Sequence, residues 1–249
     1  MSFEAELQEV SLLRDTIAVV SEIIDETGLM VTADGLKMRA SDRAVVAVID
    51  FTLNKNAFAY YNYEKDECMG INLENFLQIL RRVGPDDKLK IKLDGNKLHI
   101  SVSGIHNRNF VLPLIDISVS ELPPVDKLNF SASFDIDSSL LNSGIEDADI
   151  VTDSVVFTVQ THGIKMKAES DSALAELSVD INKGIQNMEV KEPVRARFSL
   201  DYLKKIIKSK KLSSSAKISM ATDYPMKLDF NVPGKLNLGF ILAPRVEDV

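Results

Sequence analysis

Gly35-Leu-Lys-Met-Arg-Ala-Ser-Asp42 returns later in the chain as Gly163-Ile-Lys-Met-Lys-Ala-Glu-Ser-Asp171, with the two glycines about 128 residues apart. Each copy has a turn glycine followed by Leu or Ile and Met alternating with Lys and Arg. A period of two marks a strand with one wet and one dry face. Other landmarks return in the same order. Ile71-Asn-Leu-Glu-Asn-Phe-Leu-Gln-Ile-Leu-Arg81 is answered by Phe198-Ser-Leu-Asp-Tyr-Leu-Lys-Lys-Ile-Ile-Lys208, about 127 residues on. A nearly constant offset across several landmarks means a duplicated unit, and the 249 residues suffice for two ordinary cores.

Each half is predicted as strand, helix, several strands, helix and further strands. In the first half, residues 2–7 form a short strand. Ser11 caps a helix to about Asp25, whose apolar face is Leu13, Ile17, Val20 and Ile24, with Arg14, Ala18, Ser21 and Asp25 on the wet face. The apolar run Ala44–Phe51 predicts a strand buried on both faces. Asn72–Val83 predicts a helix stopped by Gly84-Pro85. Lys88–Leu93 and Lys97–Val102 flank Asp94-Gly95-Asn96 as a hairpin, and Asn107–Ile115 is one more strand.

Between the halves, Asp116-Ile-Ser-Val-Ser-Glu-Leu-Pro-Pro-Val-Asp-Lys-Leu128 has two prolines and no regular period, so it reads as an extended connector. The organisation expected is residues 1–116, a connector over 117–129, and residues 130–249. In the second half, Ser138–Ala148 and Leu200 to about Lys208 are the helices. Phe130–Ile136, Val155–Val159, Leu174–Ile181, Lys217–Met220, Met226–Val232 and Leu236–Leu242 are among the strands. Few helices against many strands predict an α+β fold with helices on one face of antiparallel sheet. Sheet edges are left over and need partners.

A net charge of −8 argues against nonspecific coating of nucleic acid but leaves room for one directed basic surface. The single cysteine, Cys68, points to a reducing compartment. The N-terminal residues lack a signal-peptide pattern, and no apolar run reaches the roughly 18 residues of a membrane span. No cofactor, metal or catalytic set is expected. His99, His106 and His162 have no metal-ligand spacing to one another or to Cys68, and there is no phosphate loop or nucleophile elbow. Binding is better supported. Lys204, Lys208 and Lys211 fall on one line, flanked by Lys205 and Lys210, and the matching helix ends in Arg81-Arg82. The alternative for these cations is solubility and compensation of the helix dipole.

Together these features resemble the sliding DNA clamps of the proliferating cell nuclear antigen family, over essentially the whole chain. The duplication, the Gly35–Asp42 stretch, Asn72-Leu73, the connector and the ending Phe240-Ile-Leu-Ala-Pro-Arg-Val-Glu247 carry the resemblance, whose ending looks archaeal. It implies two tandem clamp-fold repeats and a non-catalytic homotrimeric ring, with helices lining the hole and sheets outside. The partners implied are double-stranded DNA, held without reading sequence, and a clamp loader. DNA polymerase, flap endonuclease and DNA ligase would dock through short hydrophobic motifs. The location implied is cytoplasmic, at an archaeal nucleoid, or nuclear in a eukaryote. The rival within the fold is a subunit of a heterotrimeric or checkpoint-type clamp.

Carried over residue by residue, the DNA-facing set is Arg14, Arg81, Arg82, Lys204, Lys205, Lys208 and Lys211. Asp15, Ser21, Gln78 and Asp201 stand where many relatives are basic, and the 138–148 helix has no basic residue. The implied peptide pocket is Ser41, Val45, Val46 and Val48, then Leu122, Val125 and Leu128, with Pro225, Ile241, Ala243, Pro244 and Val246. Ser41 replaces the family's usual Met. For Val46 and Val48, ordinary core is the competing reading. The implied subunit interface pairs Asn107–Ile115 of one copy with Leu174–Ile181 of the next, through Phe110, Leu112, Leu174, Leu177 and Val179.

Overall fold

The structure is a computed structural model that describes residues 3–117, 125–181 and 183–245. These form two compact units, residues 3–43, 49–117 and 232–238 in the first, and 44–48, 125–181, 183–231 and 239–245 in the second.

The first unit begins with β1 (Phe3–Leu7), α1 (Val10–Val20), β2 (Glu26–Thr32), β3 (Gly35–Ser41) and β4 (Ala47–Asn54). It continues with β5 (Phe58–Tyr63), β6 (Glu67–Asn72), α2 (Leu73–Leu80), β7 (Lys88–Asp94), β8 (Lys97–Ser103) and β9 (Arg108–Pro113). One sheet has the order β5-β1-β7-β8-β9, and β4-β3-β2-β6 run side by side in another. The strands alternate as their sequences predict: Leu89, Ile91 and Leu93 of β7 are buried, and Lys88 and Asp94 are exposed. Gly95 takes φ +59° in the tight β7–β8 turn, as a two-residue hairpin requires. Helices α1 and α2 pack on each other.

The second unit repeats this order with β10 (Ala132–Asp137), α3 (Ser138–Asp149), β11 (Ser154–Gln160), β12 (Gly163–Glu169) and β13 (Leu174–Asp180). Then come β14 (Ile185–Val190), β15 (Val194–Ser199), α4 (Leu200–Ile206), β16 (Ser215–Met220), β17 (Met226–Val232) and β18 (Leu236–Leu242). The orders β14-β10-β16-β17-β18 and β13-β12-β11-β15 reproduce those of the first unit, strand for strand. Every strand pair with a resolved register is antiparallel. This is the α+β arrangement expected. Leu141, Ile145 and Ala148 of α3 are buried, and α3 packs on α4 and on β10 to β13.

The duplicated glycines have a steric cause. Gly35 has φ +140°, and a Cβ there would collide with the Leu53 carbonyl oxygen; at Gly163 a Cβ would collide with the Val179 carbonyl oxygen. In both copies a neighbouring strand's backbone occupies the side-chain space. Gly163→Ala is therefore expected to cost about 2–3 kcal/mol, because backbone must move to admit the methyl group. Urea unfolding checks this: the midpoint should fall while the slope with denaturant stays unchanged.

Four local expectations are corrected. Helix α1 is capped at Glu9, not Ser11; Ser11 is already helical and its Oγ donates to Glu9 Oε1 at 3.1 Å. The helix ends at Val20, and Leu12, Thr16 and Val19 are buried beside the expected stripe. Helix α2 ends at Leu80, and Arg82 and Val83 donate to carbonyls three residues back, at Ile79 and Leu80. The 44–51 run does not start a strand at Ala44: the chain reverses over 42–46 and β4 begins at Ala47. Finally, β14 is a strand that the sequence pattern does not announce. Its alternation is broken by Asn187 at φ +49° and by a register shift against β10.

Candidate nucleic-acid interface and peptide pocket

Eight of the twelve expected pocket residues line one cavity of about 190 Å³ in the second unit: Val45, Val46, Val48, Val125, Leu128, Pro225, Ile241 and Ala243. All eight side chains are apolar. Three local features build the walls. Val125–Lys127 forms a single 3₁₀ turn that presents Val125 and, just after it, Leu128. Beyond β18, the Ala243 N–H donates to the Val46 carbonyl at 2.9 Å, fixing the tail against the 44–48 segment. Val45 sits at φ +55° and is 51% exposed. A β-branched residue in that region is strained, and an exposed valine there gains little from burial to offset it. Ser41 belongs to the first unit, at the end of β3, and does not line the cavity. Pro244 is half-buried next to the lining residue Ala243. Leu122 and Val246 lie outside the described residues.

The expected DNA-facing cations sit on helix faces or at helix ends, several of them already engaged. Arg14 of α1 pairs with its neighbour Asp15 at 3.0 Å. Arg81, at the end of α2, lies 3.8 Å from Glu74 two exposed turns back, too loose and wet to hold it. Arg82 is exposed, and its carbonyl accepts from Arg108 Nη1 at 2.7 Å. Arg108 also pairs with Asp87, whose Oδ2 accepts from the Gly84 N–H at 3.0 Å. These bonds pin the turn carrying the two arginines. Neither Arg108 nor Asp87 stands out in the sequence, because they meet only when β9 returns beside the end of α2.

Lys204 of α4 donates to both carboxylate oxygens of Asp149 at the end of α3, at 2.9 and 3.0 Å, and that bond raises the lysine's pKa. The acidic end of α3 thus draws on a cation of α4. Lys205 lies over the Tyr202 ring, 5.7 Å from its centre. Past Ile206 the helix tightens to 3₁₀ over Ile207–Lys211. Residues three apart eclipse in that geometry, so exposed Lys208 and Lys211 stand one above the other.

The expected interface residues lie on two sheet edges. Among the described residues, β9 pairs with β8 and ends its sheet, and β13 pairs with β12 and ends its own. Phe110, Leu112 and Leu177 are half-buried, Leu174 is 58% exposed and Val179 is buried within its own unit. Among the described residues, no group of three or more His, Cys, Asp or Glu side chains could hold a metal ion.

Residues 2–117 match the N-terminal domain of proliferating cell nuclear antigen, and residues 124–245 match its C-terminal domain. The chain belongs to the proliferating cell nuclear antigen family. Among curated relatives it is 33% identical to the DNA polymerase sliding clamp of Thermococcus gammatolerans over 250 aligned positions, covering 100% of both chains. It is 31% identical to DNA polymerase sliding clamp 1 of Pyrobaculum aerophilum, covering 96% of each. The crystal structure of PCNA from Thermococcus kodakaraensis superposes with a TM-score of 0.90 at 25% identity, over 98% of this chain and 100% of that one. The duplicated element order is therefore that of the proliferating cell nuclear antigen fold, with one family domain for each half of the sequence.

Proposed function

We propose that this chain is a DNA polymerase sliding clamp that works as a homotrimeric ring around duplex DNA. The observation that carries the reading is the match of both family domains to nearly the whole length, with full-length relatives named as sliding clamps. The surface chemistry agrees. A duplex is a uniform rod of phosphates, so a sleeve needs cations on its lining and no base contacts, and phosphate contacts alone let it slide. Arg81, Arg82, Lys205, Lys208 and Lys211 supply cations at the ends of α2 and α4, while the chain as a whole carries −8. Lys204 and Arg14 contribute less, since Asp149 and Asp15 hold them.

The ring does no chemistry. It tethers a polymerase to its template and so raises the local enzyme concentration. Residues 117–129 serve as the connector between the domains 1–116 and 130–249. The apolar cavity receives short hydrophobic motifs of clients such as polymerase, clamp loader, flap endonuclease and ligase. The ring acts where the chromosome is, and no described helix is long and apolar enough to cross a membrane.

The test is retention on DNA. Loaded by its ATP-driven loader onto a nicked circle, the protein should stay bound through gel filtration and leave when the circle is cut. Equal loss from circular and linear DNA would refute encirclement. In the Arg81→Ala/Lys208→Ala/Lys211→Ala chain, the dependence of log affinity on log salt should flatten by roughly one for each phosphate left without its cation. An unchanged slope would place the lining elsewhere.

A further inference from the structure

The outer face of the β11-β12-β15 sheet, on the side away from α3, carries a basic concavity of about 210 Å³ that the clamp reading leaves unused. Its geometry follows from register. Lys167 and Arg197 both stand opposite Val156, one on each flanking strand; Lys165 and Arg195 both stand opposite Thr158. Strands lie about 4.8 Å apart, so each pair of cations spans the small central strand at about 10 Å between Cα atoms. Successive rows are about 7 Å apart. Four cations thus frame a floor of Ser154, Val156 and Thr158, with Thr152 at one end. Glu169 is the one carboxylate among the lining residues. Lys165 pairs with Glu176 at 3.0 Å and Lys167 with Glu169 at 2.6 Å, and all four side chains are more than a third exposed. Exposed pairs of this kind exchange readily for an incoming carboxylate.

The chain's tail joins this concavity to the apolar cavity within the same unit. Ala243 lines the apolar cavity and bonds to Val46, and two residues later the Arg245 N–H donates to the Arg197 carbonyl at 2.8 Å. Two extended residues span about 7 Å. Resting on the reading of the apolar cavity as the client site, we propose that the basic concavity holds the acidic flank of a client peptide. The flank would be two or three consecutive Asp or Glu residues adjoining the hydrophobic motif. Charge complementarity selects this occupant: a compact four-cation cup on a chain of net charge −8 suits a few clustered carboxylates. A duplex is a long rod and calls for cations along a line, as at the end of α4.

The test is fluorescence polarisation with three peptides: a motif of one aliphatic residue followed by two aromatics, and the same motif with three Asp residues added at either end. They are measured on the wild-type chain and on Lys167→Glu/Arg195→Glu. One flanked peptide should bind the wild type about tenfold tighter than the bare motif at low salt. That advantage should shrink to less than about twofold in 0.5 M salt or in the variant. Unchanged affinity of the variant for the bare motif shows that it is folded. Equal binding of flanked and bare peptides by the wild type overturns the proposal and leaves the client-site reading standing. Failure of all three peptides to bind overturns both. A duplex oligonucleotide that erases the flanked peptide's advantage would make the concavity a nucleic-acid surface, and the proposal would fall.

Discussion

Ser178→Pro is expected to turn a trimer into monomers while each monomer stays folded. The reason lies in which way the edge-strand backbone points. The Ile181 N–H donates to the His162 carbonyl, and these residues are partners one step beyond the Gly163–Asp180 pair. Bonded and non-bonded pairs alternate in an antiparallel ladder. Ala175, Leu177 and Val179 therefore turn their backbone groups toward β12, and Leu174, Glu176, Ser178 and Asp180 turn theirs outward. On the other edge, the Leu114 N–H donates to the Asn96 carbonyl. Arg108, Phe110 and Leu112 thus face β8, and Asn109, Val111 and Pro113 face outward. Pro113, which has no N–H, falls at an outward position, the place an edge strand tolerates it.

A proline at Ser178 removes one outward donor and sets a ring in the path of an added strand, without touching a bond to β12. Three such seams close the proposed ring, and each loses a hydrogen bond while a carbonyl across the seam is left unpaired, a cost of about 1–3 kcal/mol per seam. Light scattering at micromolar concentration should report a trimer for the wild type and a monomer for the variant, with unchanged circular dichroism. A variant that remains trimeric would remove β13 from the seam. Leu177 is a poorer probe. A Cβ added to Gly144 of α3 would lie 2.9 Å from the Leu177 side chain, so a charge at Leu177 would damage its own unit.

The same edge strands show what the sequence could reveal. Period-two patterning over Lys88–Val102 and Gly163–Glu169 is a local property of a half-buried strand, and the structure has strands there. The duplication was legible because its glycines answer a steric demand that recurs in each copy. Where the sequence misled, tertiary context had overridden a local preference. Ala44-Val-Val46 has strand propensity, but β3 and β4 are antiparallel neighbours, and those residues make the reversal between them. In β14, one residue of positive φ broke the alternation that would have announced it. Apolar spacing carries the expected helix ends too far because a 3₁₀ continuation, as in Ile207–Lys211, preserves nearly the same spacing as an α-helix. Side-chain pairings between distant segments were beyond a one-dimensional reading. Lys204 with Asp149 and Arg108 with Asp87 each join elements that only the fold makes neighbours.

Val45 offers the sharpest test of the apolar cavity, because stability and binding should move in opposite directions there. An L-residue in the left-handed region costs roughly 1–2 kcal/mol, and Asn tolerates it better than a β-branched residue. Val45→Asn should therefore raise stability by about 0.5–1 kcal/mol, most of the strain being relieved and little burial lost at a half-exposed site. The same change replaces part of an apolar wall by an amide. A client motif of one aliphatic and two aromatic residues would bury roughly 400 Å² of apolar surface, about 10 kcal/mol at 25 cal/mol per Å². Ordering a flexible peptide takes back about 2–5 kcal/mol, which leaves micromolar affinity or somewhat weaker. So small a margin cannot absorb a polar wall, and binding should weaken by about tenfold. Val125→Asp, which sets a carboxylate against the bound rings, should weaken it by at least about thirtyfold. Calorimetry with the motif peptide, together with urea unfolding of each variant, checks both halves. The trimer and its loading onto DNA should survive in both variants, since the cavity lies on neither sheet edge. Wild-type affinity in both variants would place the client site elsewhere; a loss of stability in Val45→Asn would show that its backbone is not strained.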